Sequence, residues 1–329
     1  MKPLIIKDKI YGNFKITEPV LIELIKSKAL QRLKGVGQNG AHDFHYTSPG
    51  PFTRYQHSIG VMLLLRKFKA SLEEQIAGLL HDISHTAFSH VADFVFNSHY
   101  LKHDYQDRKL AQAFEIQGIN KILIKHKISP SKILNHKNFP LSEKELPDLC
   151  ADRIDYTLQE PLRRKLSKIK PKDFLKNLII HQDKFIFTDQ AWAKKFSLLY
   201  LQLNQKLWCC PLEATIYQIL ADAIKFGLER KIITKPDLFT TDKLVMKRLQ
   251  KSRDSEILEK INLLKKVKIK TVPKKHADMY LKSKPRAVDP YFLRNGKLIR
   301  ISTVDLDYKK KVNSWVKKAK KGFYVKIVN

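Results

Sequence analysis

One stretch constrains this chain more than any other. The apolar run Gly78-Leu79-Leu80 passes directly into His81-Asp82-Ile83-Ser84-His85-Thr86-Ala87-Phe88-Ser89-His90. Three histidines and an aspartate within ten residues, placed at the end of what reads as a buried helix, demand partners where water is scarce. Imidazole combined with carboxylate is the donor set of borderline divalent metals such as iron, manganese, zinc or nickel. His81 and His85 are four apart and would share one face of a continuing helix. Asp82, rotated about 100° from His81, would still reach an ion held by that turn. A lone His-Asp would be read as a buried hydrogen-bonded pair. With His85 and His90 added, a metal site is the better expectation.

The rest of the chain can build a core around such a site. Of 329 residues, 43% are apolar, enough for one large domain or a core domain with an appendage. No apolar run reaches the length of a membrane span, so no membrane partner is expected. The N-terminal Met1-Lys2-Pro3-Leu4-Ile5-Ile6-Lys7-Asp8 lacks the apolar core of a signal peptide. Three cysteines, Cys150, Cys209 and Cys210, make no disulfide framework, and a cytoplasmic location is expected. The net charge of +31, from 63 Lys+Arg against 32 Asp+Glu, favours anionic ligands: nucleotides or nucleic acid. Lysine dominates that excess and is spread along the chain, so a generally basic surface explains it equally well.

Taken in order, residues 4–7 and 14–16 predict a hairpin around Tyr11-Gly12-Asn13, and apolar spacing predicts a helix over 18–33. A loop through Pro49-Gly50-Pro51 leads to a helix opened by Thr53-Arg54-Tyr55-Gln56-His57. Ser71 caps the next helix, which ends at His81-Asp82. A further helix is expected around Leu149-Cys150-Ala151-Asp152-Arg153-Ile154-Asp155-Tyr156. There Asp148, Asp152 and Asp155 would line one face and repel one another unless a cation stands by. A hairpin over 178–187, long helices over 190–226 and two amphipathic helices near 240–249 and 256–264 follow. From Lys265 the pattern changes to short strands, the Asn295-Gly296 turn signal, a basic helix over 305–320 and a last strand over 323–328. The reading is thus a mainly α protein: a helical domain over 1–264, with its metal site within 54–156, and a small basic α+β unit over 265–329.

Outside the opening stretch, His57 and Asp152 complete a set of two imidazoles and two carboxylates with His81 and Asp82, leaving positions open for water and substrate. This set, in its setting of Arg54-Tyr55-Gln56-His57-Ser58, His81 to His90 and Ala151 to Tyr156, resembles the HD-domain phosphohydrolases. Within them it is most similar to the branch of deoxynucleoside triphosphate triphosphohydrolases, over roughly residues 1–230. The resemblance implies an HD helical core and metal ligands at His57, His81, Asp82 and Asp152. It implies phosphate-side histidines at His85 and His90, and a proton-transfer pair in which Asp93 orients His103. Arg54 would hold phosphate oxygens through its planar fork. Gln38 would sit by the sugar, and Asp155 and Tyr156 would line the nucleoside side. Lys206 is the cation available in the later helix that faces the phosphates. A divalent transition metal, with magnesium on the substrate phosphates, and a homo-oligomer are implied as well.

The reaction expected is metal-dependent hydrolysis of nucleotides, foremost of dNTPs to deoxynucleoside and triphosphate. A nucleotide phosphatase, phosphodiesterase or nuclease would use the same site. A protein of a different class, binding single-stranded nucleic acid with a vestigial HD site, is the third reading. Its surface would be Lys317, Lys318, Lys320 and Lys321 beside Trp315 and Phe323.

Overall fold

The computed structural model describes residues 2–96, 105–166 and 169–328. The chain is mainly helical, with small sheets gathered toward its C-terminal part. The N-terminal hairpin pairs Leu4–Asp8 with Gly12–Ile16, and its turn tucks Tyr11 into the interior. The helix expected over 18–33 is two helices, Pro19–Lys26 and Lys28–Arg32. They part at Ser27, whose ψ of 147° leaves the helix while its hydroxyl accepts the Leu30 amide as a new cap.

Two helices set the frame of the site. Arg54–Lys67 opens with a capping box between Thr53 and Gln56 and is buried continuously from His57 to Leu65. Leu72–Leu80 starts from Ser71, whose side chain accepts the Glu74 amide. Both pack with Ala151–Arg164 into one large apolar core.

That second helix stops at Leu80. His81 to His90 is a chain of turns, so His81 and His85 do not share a helix face. Phe88 and Ser89 have φ of 62° and 52°, a left-handed conformation that no right-handed helix accommodates and that bulky residues rarely adopt. Asp242 holds this loop in place: its carboxylate accepts the Phe88 amide at 2.7 Å and the Gly37 amide at 2.8 Å. Ser89 donates its hydroxyl to the Gly37 carbonyl at 2.6 Å.

Asp242 opens a helix of a second apolar cluster. Pro211–Glu229, Asp242–Lys251 and Ser255–Lys266 pack together and against Ala41, Phe88 and Val91. The motif loop therefore lies between two cores. Asp148 departs from its expected place: it precedes the Ala151–Arg164 helix and pairs with Arg300. Only Asp152 and Asp155 remain on that helix.

Residues beyond 264 are woven into the helical core. Lys184–Phe187 pairs in parallel with Tyr291–Arg294, completing a four-stranded sheet with Leu178–His181 and Lys297–Arg300. A three-stranded sheet places Phe323–Val328 between Lys268–Thr271 and Met279–Leu281. The three-residue strand Met279–Leu281 is too short to show a period of two. Phe292, Ile301, Tyr308 and Trp315 join the same core as the HD helices. Trp315 and Phe323 are only 9% and 8% exposed, so they are core residues and not partners for a nucleic acid at the Leu306–Lys320 helix. No helix among the described residues is long and apolar enough to cross a membrane.

The brace at Asp242 can be tested. Asp242→Ala strands two buried amides, each costing about 1–3 kcal/mol, so the thermal midpoint should fall by several degrees. An unchanged midpoint would remove Asp242 from this role.

Candidate metal centre

The centre is built on His57, in the first turn of the Arg54–Lys67 helix and without solvent access. Its Nδ1 lies 2.7 Å from Asp155 Oδ2 and its Nε2 lies 2.8 Å from Asp152 Oδ1. The two aspartates, three residues apart on Ala151–Arg164, bracket the ring from both sides. Asp155 is itself held: its Oδ1 accepts the Tyr11 hydroxyl at 2.7 Å and the Gln159 amide at 3.3 Å. Gly60, one turn beyond His57, makes the room. A Cβ there would stand 2.3 Å from Asp155 Oδ1.

His81 donates Nδ1–H to the Gly78 carbonyl at 2.7 Å, which leaves Nε2, once its proton is released, as the nitrogen that can meet a cation. That Nε2 is buried and has no hydrogen-bond partner among the described residues. It lies 3.4 Å from Asp82 Oδ1 and 3.6 Å from Asp152 Oδ1. The ligand atoms of His57, His81 and Asp152 all fall within 4.8 Å of one another. Asp82 flanks this trio, with Oδ2 3.9 Å from His57 Nε2. An unsatisfied imidazole nitrogen facing two carboxylates, beside a second imidazole with its own carboxylate partner behind it, fits a divalent cation by both donor chemistry and support.

Electrostatics follow from this crowding. Burial alone would lower the His57 pKa, but hydrogen bonds to Asp152 and Asp155, with their charges, hold it up at about 10. His81 is likewise lowered by burial and then raised by Asp82 and Asp152 to about 9. Burial would raise Asp82, yet Arg54, His81 and His85 keep it well below the usual carboxylate range. His85 goes the other way: burial and the neighbouring Arg54 charge push it down to about 3. His90 is also driven well down by burial and by Arg54 and Arg286. Glu143, a residue that sequence reasoning passed over, is pushed up to about 7 by lost hydration and then by the charge of Asp152.

The remaining expected residues distribute as follows. Arg54 is buried and donates from Nη1 to Asp82 Oδ2 at 2.8 Å and from Nε to Ser89 Oγ at 2.9 Å. Two of its three guanidinium nitrogens thus hold the HD aspartate and the motif loop. Asp155 is completely buried and positions His57, a correction to its expected place on the nucleoside side. His85 Nε2 lies 3.2 Å from Asp82 Oδ1, and its ring meets that of His90 edge-on at 5.0 Å. Asp93 turns one oxygen to His90 Nδ1 at 3.1 Å and the other to the Tyr105 amide. His103 lies outside the described residues. Tyr156 bonds the Tyr200 hydroxyl at 2.9 Å, with its ring 6.4 Å from that of His57. The side-chain oxygen of Gln38 is buried and has no hydrogen-bond partner among the described residues. Lys206 is exposed on the π-helical turn Asn204–Trp208. The cleft opens to solvent where His81, His90, Asp152 and Tyr156 are partly exposed.

Residues 54–159 match the HD domain family. The chain is 37% identical over 325 residues to the uncharacterized protein YdhJ of Bacillus subtilis, covering 98% of this chain and 99% of that one. It is 32% identical over 244 residues to the metal-dependent phosphohydrolase cns2 of Cordyceps militaris, covering 70% and 69%. Over 105 residues it is 33% identical to human deoxynucleoside triphosphate triphosphohydrolase SAMHD1, covering 27% of this chain and 16% of that protein. The crystal structure of a phosphohydrolase from Bacteroides thetaiotaomicron superposes with a TM-score of 0.67 at 17% identity, covering 98% and 99%. With the cluster of His57, His81 and Asp152 at its heart, the chain belongs to the HD-domain metal-dependent phosphohydrolases.

Two outcomes check the centre. Gly60→Ala should displace Asp155, loosen His57 and weaken metal binding by about 10–100-fold, the usual cost of losing an outer-shell partner. Wild-type metal affinity in that variant would refute the bracketing of His57. Because His57 and His81 hold protons up to about 10 and about 9, a metal must displace those protons. Affinity should therefore tighten at least about tenfold per pH unit between pH 6 and 8. Calorimetric titration showing no pH dependence and no proton release would contradict these protonation states.

Proposed function

We propose that this phosphohydrolase acts on nucleotides, foremost by hydrolysing dNTPs to deoxynucleoside and triphosphate. The observation that carries the reading is the metal trio of His57, His81 and Asp152 adjoined by two imidazoles, His85 and His90, kept neutral near pH 7. The 33% identity with the SAMHD1 segment supports deoxynucleoside triphosphates as the substrate.

His57, His81, Asp82 and Asp152 would hold a divalent transition metal, which when bound supplies Lewis-acid polarisation of a phosphate and a lowered pKa of water. Asp155 keeps the His57 ring turned so that Nε2 faces the trio. Arg54 keeps Asp82 ionised and fixed. His90, oriented by Asp93 and neutral, is placed to exchange a proton at the partly exposed side of the cleft. Gln38, whose side-chain oxygen has no hydrogen-bond partner among the described residues, offers an acceptor to a sugar hydroxyl. Magnesium on the substrate phosphates and a cytoplasmic homo-oligomer belong to the same reading.

Metal analysis of the purified protein, followed by product analysis over dNTPs, NTPs, monophosphates and short oligonucleotides, tests it. Free triphosphate with nucleoside is expected, falling by more than about 100-fold in Asp82→Ala and Asp152→Ala. Orthophosphate or shortened oligonucleotides would instead make the enzyme a phosphatase or nuclease.

A nucleic-acid surface is favoured by one further observation. On the three-stranded sheet, Tyr280 and Tyr324 form a ring pair at 4.7 Å beside exposed Lys268, Lys270 and Lys326. Aromatic rings flanked by cations are a stacking platform for single strands. Tyr280→Ala with Tyr324→Ala should weaken salt-dependent single-stranded RNA binding about tenfold or more. Unchanged binding would dismiss the platform.

A further inference from the structure

The link from Met279–Leu281 to Tyr291–Arg294 has no regular structure, yet it is held at several points. The Arg286 amide donates to Asn204 Oδ1 at 3.2 Å, and the same oxygen accepts Trp315 Nε1 at 2.8 Å. Val288 is buried, and its carbonyl accepts the Tyr308 hydroxyl. The Asp289 amide donates to the Pro147 carbonyl at 2.9 Å, just ahead of the helix that carries Asp152. The Asp289 carboxylate takes the Ser302 amide and hydroxyl at 2.9 and 2.6 Å. Arg286 is thereby fixed between the Asn204–Trp208 turn and the start of the Asp152 helix. The turn's Trp208 packs on Tyr156 and Tyr200, at 5.0 and 5.3 Å between rings.

That turn sets Arg286 beside the metal centre, because Trp208 packs on Tyr156, whose ring is 6.4 Å from that of His57, and the Arg286 charge bears on His90 and Asp152. Arg286 stays partly exposed. Other arginines about the core have protein partners: Arg54 has Asp82, Arg163 and Arg164 have Glu160, and Arg153 has two backbone carbonyls. The Arg286 side chain makes no ion pair or hydrogen bond among the described residues. A half-buried guanidinium left without a protein partner near a phosphohydrolase site is a planar donor fork suited to an anion.

The charge balance of the cleft calls for such a group. Asp82 and Asp152 repel a polyphosphate, and a divalent metal only offsets those two charges. Arg54 already gives Nε to Ser89 and Nη1 to Asp82, and Lys206 is exposed on the Asn204–Trp208 turn.

We propose that Arg286, delivered by the C-terminal segment, is a substrate-binding residue that anchors the phosphate oxygens of the nucleotide in the HD cleft. The inference rests on the reading of this site as a nucleotide phosphohydrolase and adds to it a residue from outside the HD helices. The phosphates would lie between the metal trio and Arg286. The C-terminal unit then forms one wall of the active site.

The test uses the full-length, metal-loaded protein with inorganic tripolyphosphate as probe. In calorimetric titrations Arg286→Gln should bind tripolyphosphate at least tenfold more weakly than wild type. Arg286→Lys, keeping the charge without the fork, should fall between. Metal content and melting temperature should match wild type in both variants, and KM for dGTP should rise with a smaller change in kcat. Tripolyphosphate affinity unchanged in Arg286→Gln would overturn the proposal. In case that variant does not fold, phenylglyoxal labelling of the wild-type protein decides: tripolyphosphate should shield Arg286 in a peptide map, and undiminished labelling overturns the assignment. The two readings fail separately. Tripolyphosphate binding that depends on Arg286, without turnover of any nucleotide, would sink the nucleotide-hydrolase reading alone. Nucleotide turnover with Arg286→Gln kinetically identical to wild type would sink this one alone.

Discussion

Everything in this protein turns on the confinement of one imidazole between two carboxylates. His57 has Asp155 at one nitrogen and Asp152 at the other, in a place water does not reach. Low polarisability there strengthens the attraction and makes any unpaired charge costly. The arrangement is stable only if positive charge sits among Asp82, Asp152 and their histidines, whether as protons or as a bound cation. Metal affinity and local stability are therefore two expressions of one electrostatic constraint.

That constraint shapes the surrounding structure in specific ways. Gly60 has no side chain because Asp155 occupies the volume a Cβ would need. Tyr11 is drawn from the N-terminal hairpin across the fold to satisfy the second oxygen of Asp155. Arg54 turns inward to Asp82 although it opens a helix at the rim. On the other side, the strained turn at Phe88 and Ser89 brings His85 and His90 beside the trio. It is held by Asp242, which opens a helix of the second apolar cluster. The site is a seam between two cores, and each core contributes groups that the other needs.

The C-terminal residues complete the picture. Their strands and helix share the large core with the HD helices, and their linking segment is bonded to the Asn204 turn and to Pro147. Arg286 thus occupies a position set by neighbours from three parts of the chain.

Much of the architecture was legible from residues alone. The hairpins at 4–16 and 178–187, the helix begun by the Thr53 cap and the change of pattern past Lys265 all follow local rules of capping, turn chemistry and periodicity. The HD cluster was legible too, because adjacent histidine and aspartate at the end of an apolar run have few other uses. Local rules failed where partners are remote. Asp148 and Asp155 share a spacing with Asp152, yet one pairs with Arg300 outside the helix and the other is buried against His57. His81 and His85 have helical spacing, but the chain between them runs in turns, in a loop that Asp242 holds further on at the Phe88 amide. Trp315 looked like a stacking surface beside its lysines and is a core residue. The sequence by itself determined which groups can hold a metal, because donor chemistry belongs to the side chain. Which carboxylate lies in the histidine cluster, which one backs His57, and which arginine is left without a side-chain partner among the described residues were decided by tertiary structure. Those roles depend on burial and on partners as far as 144 residues away in the chain.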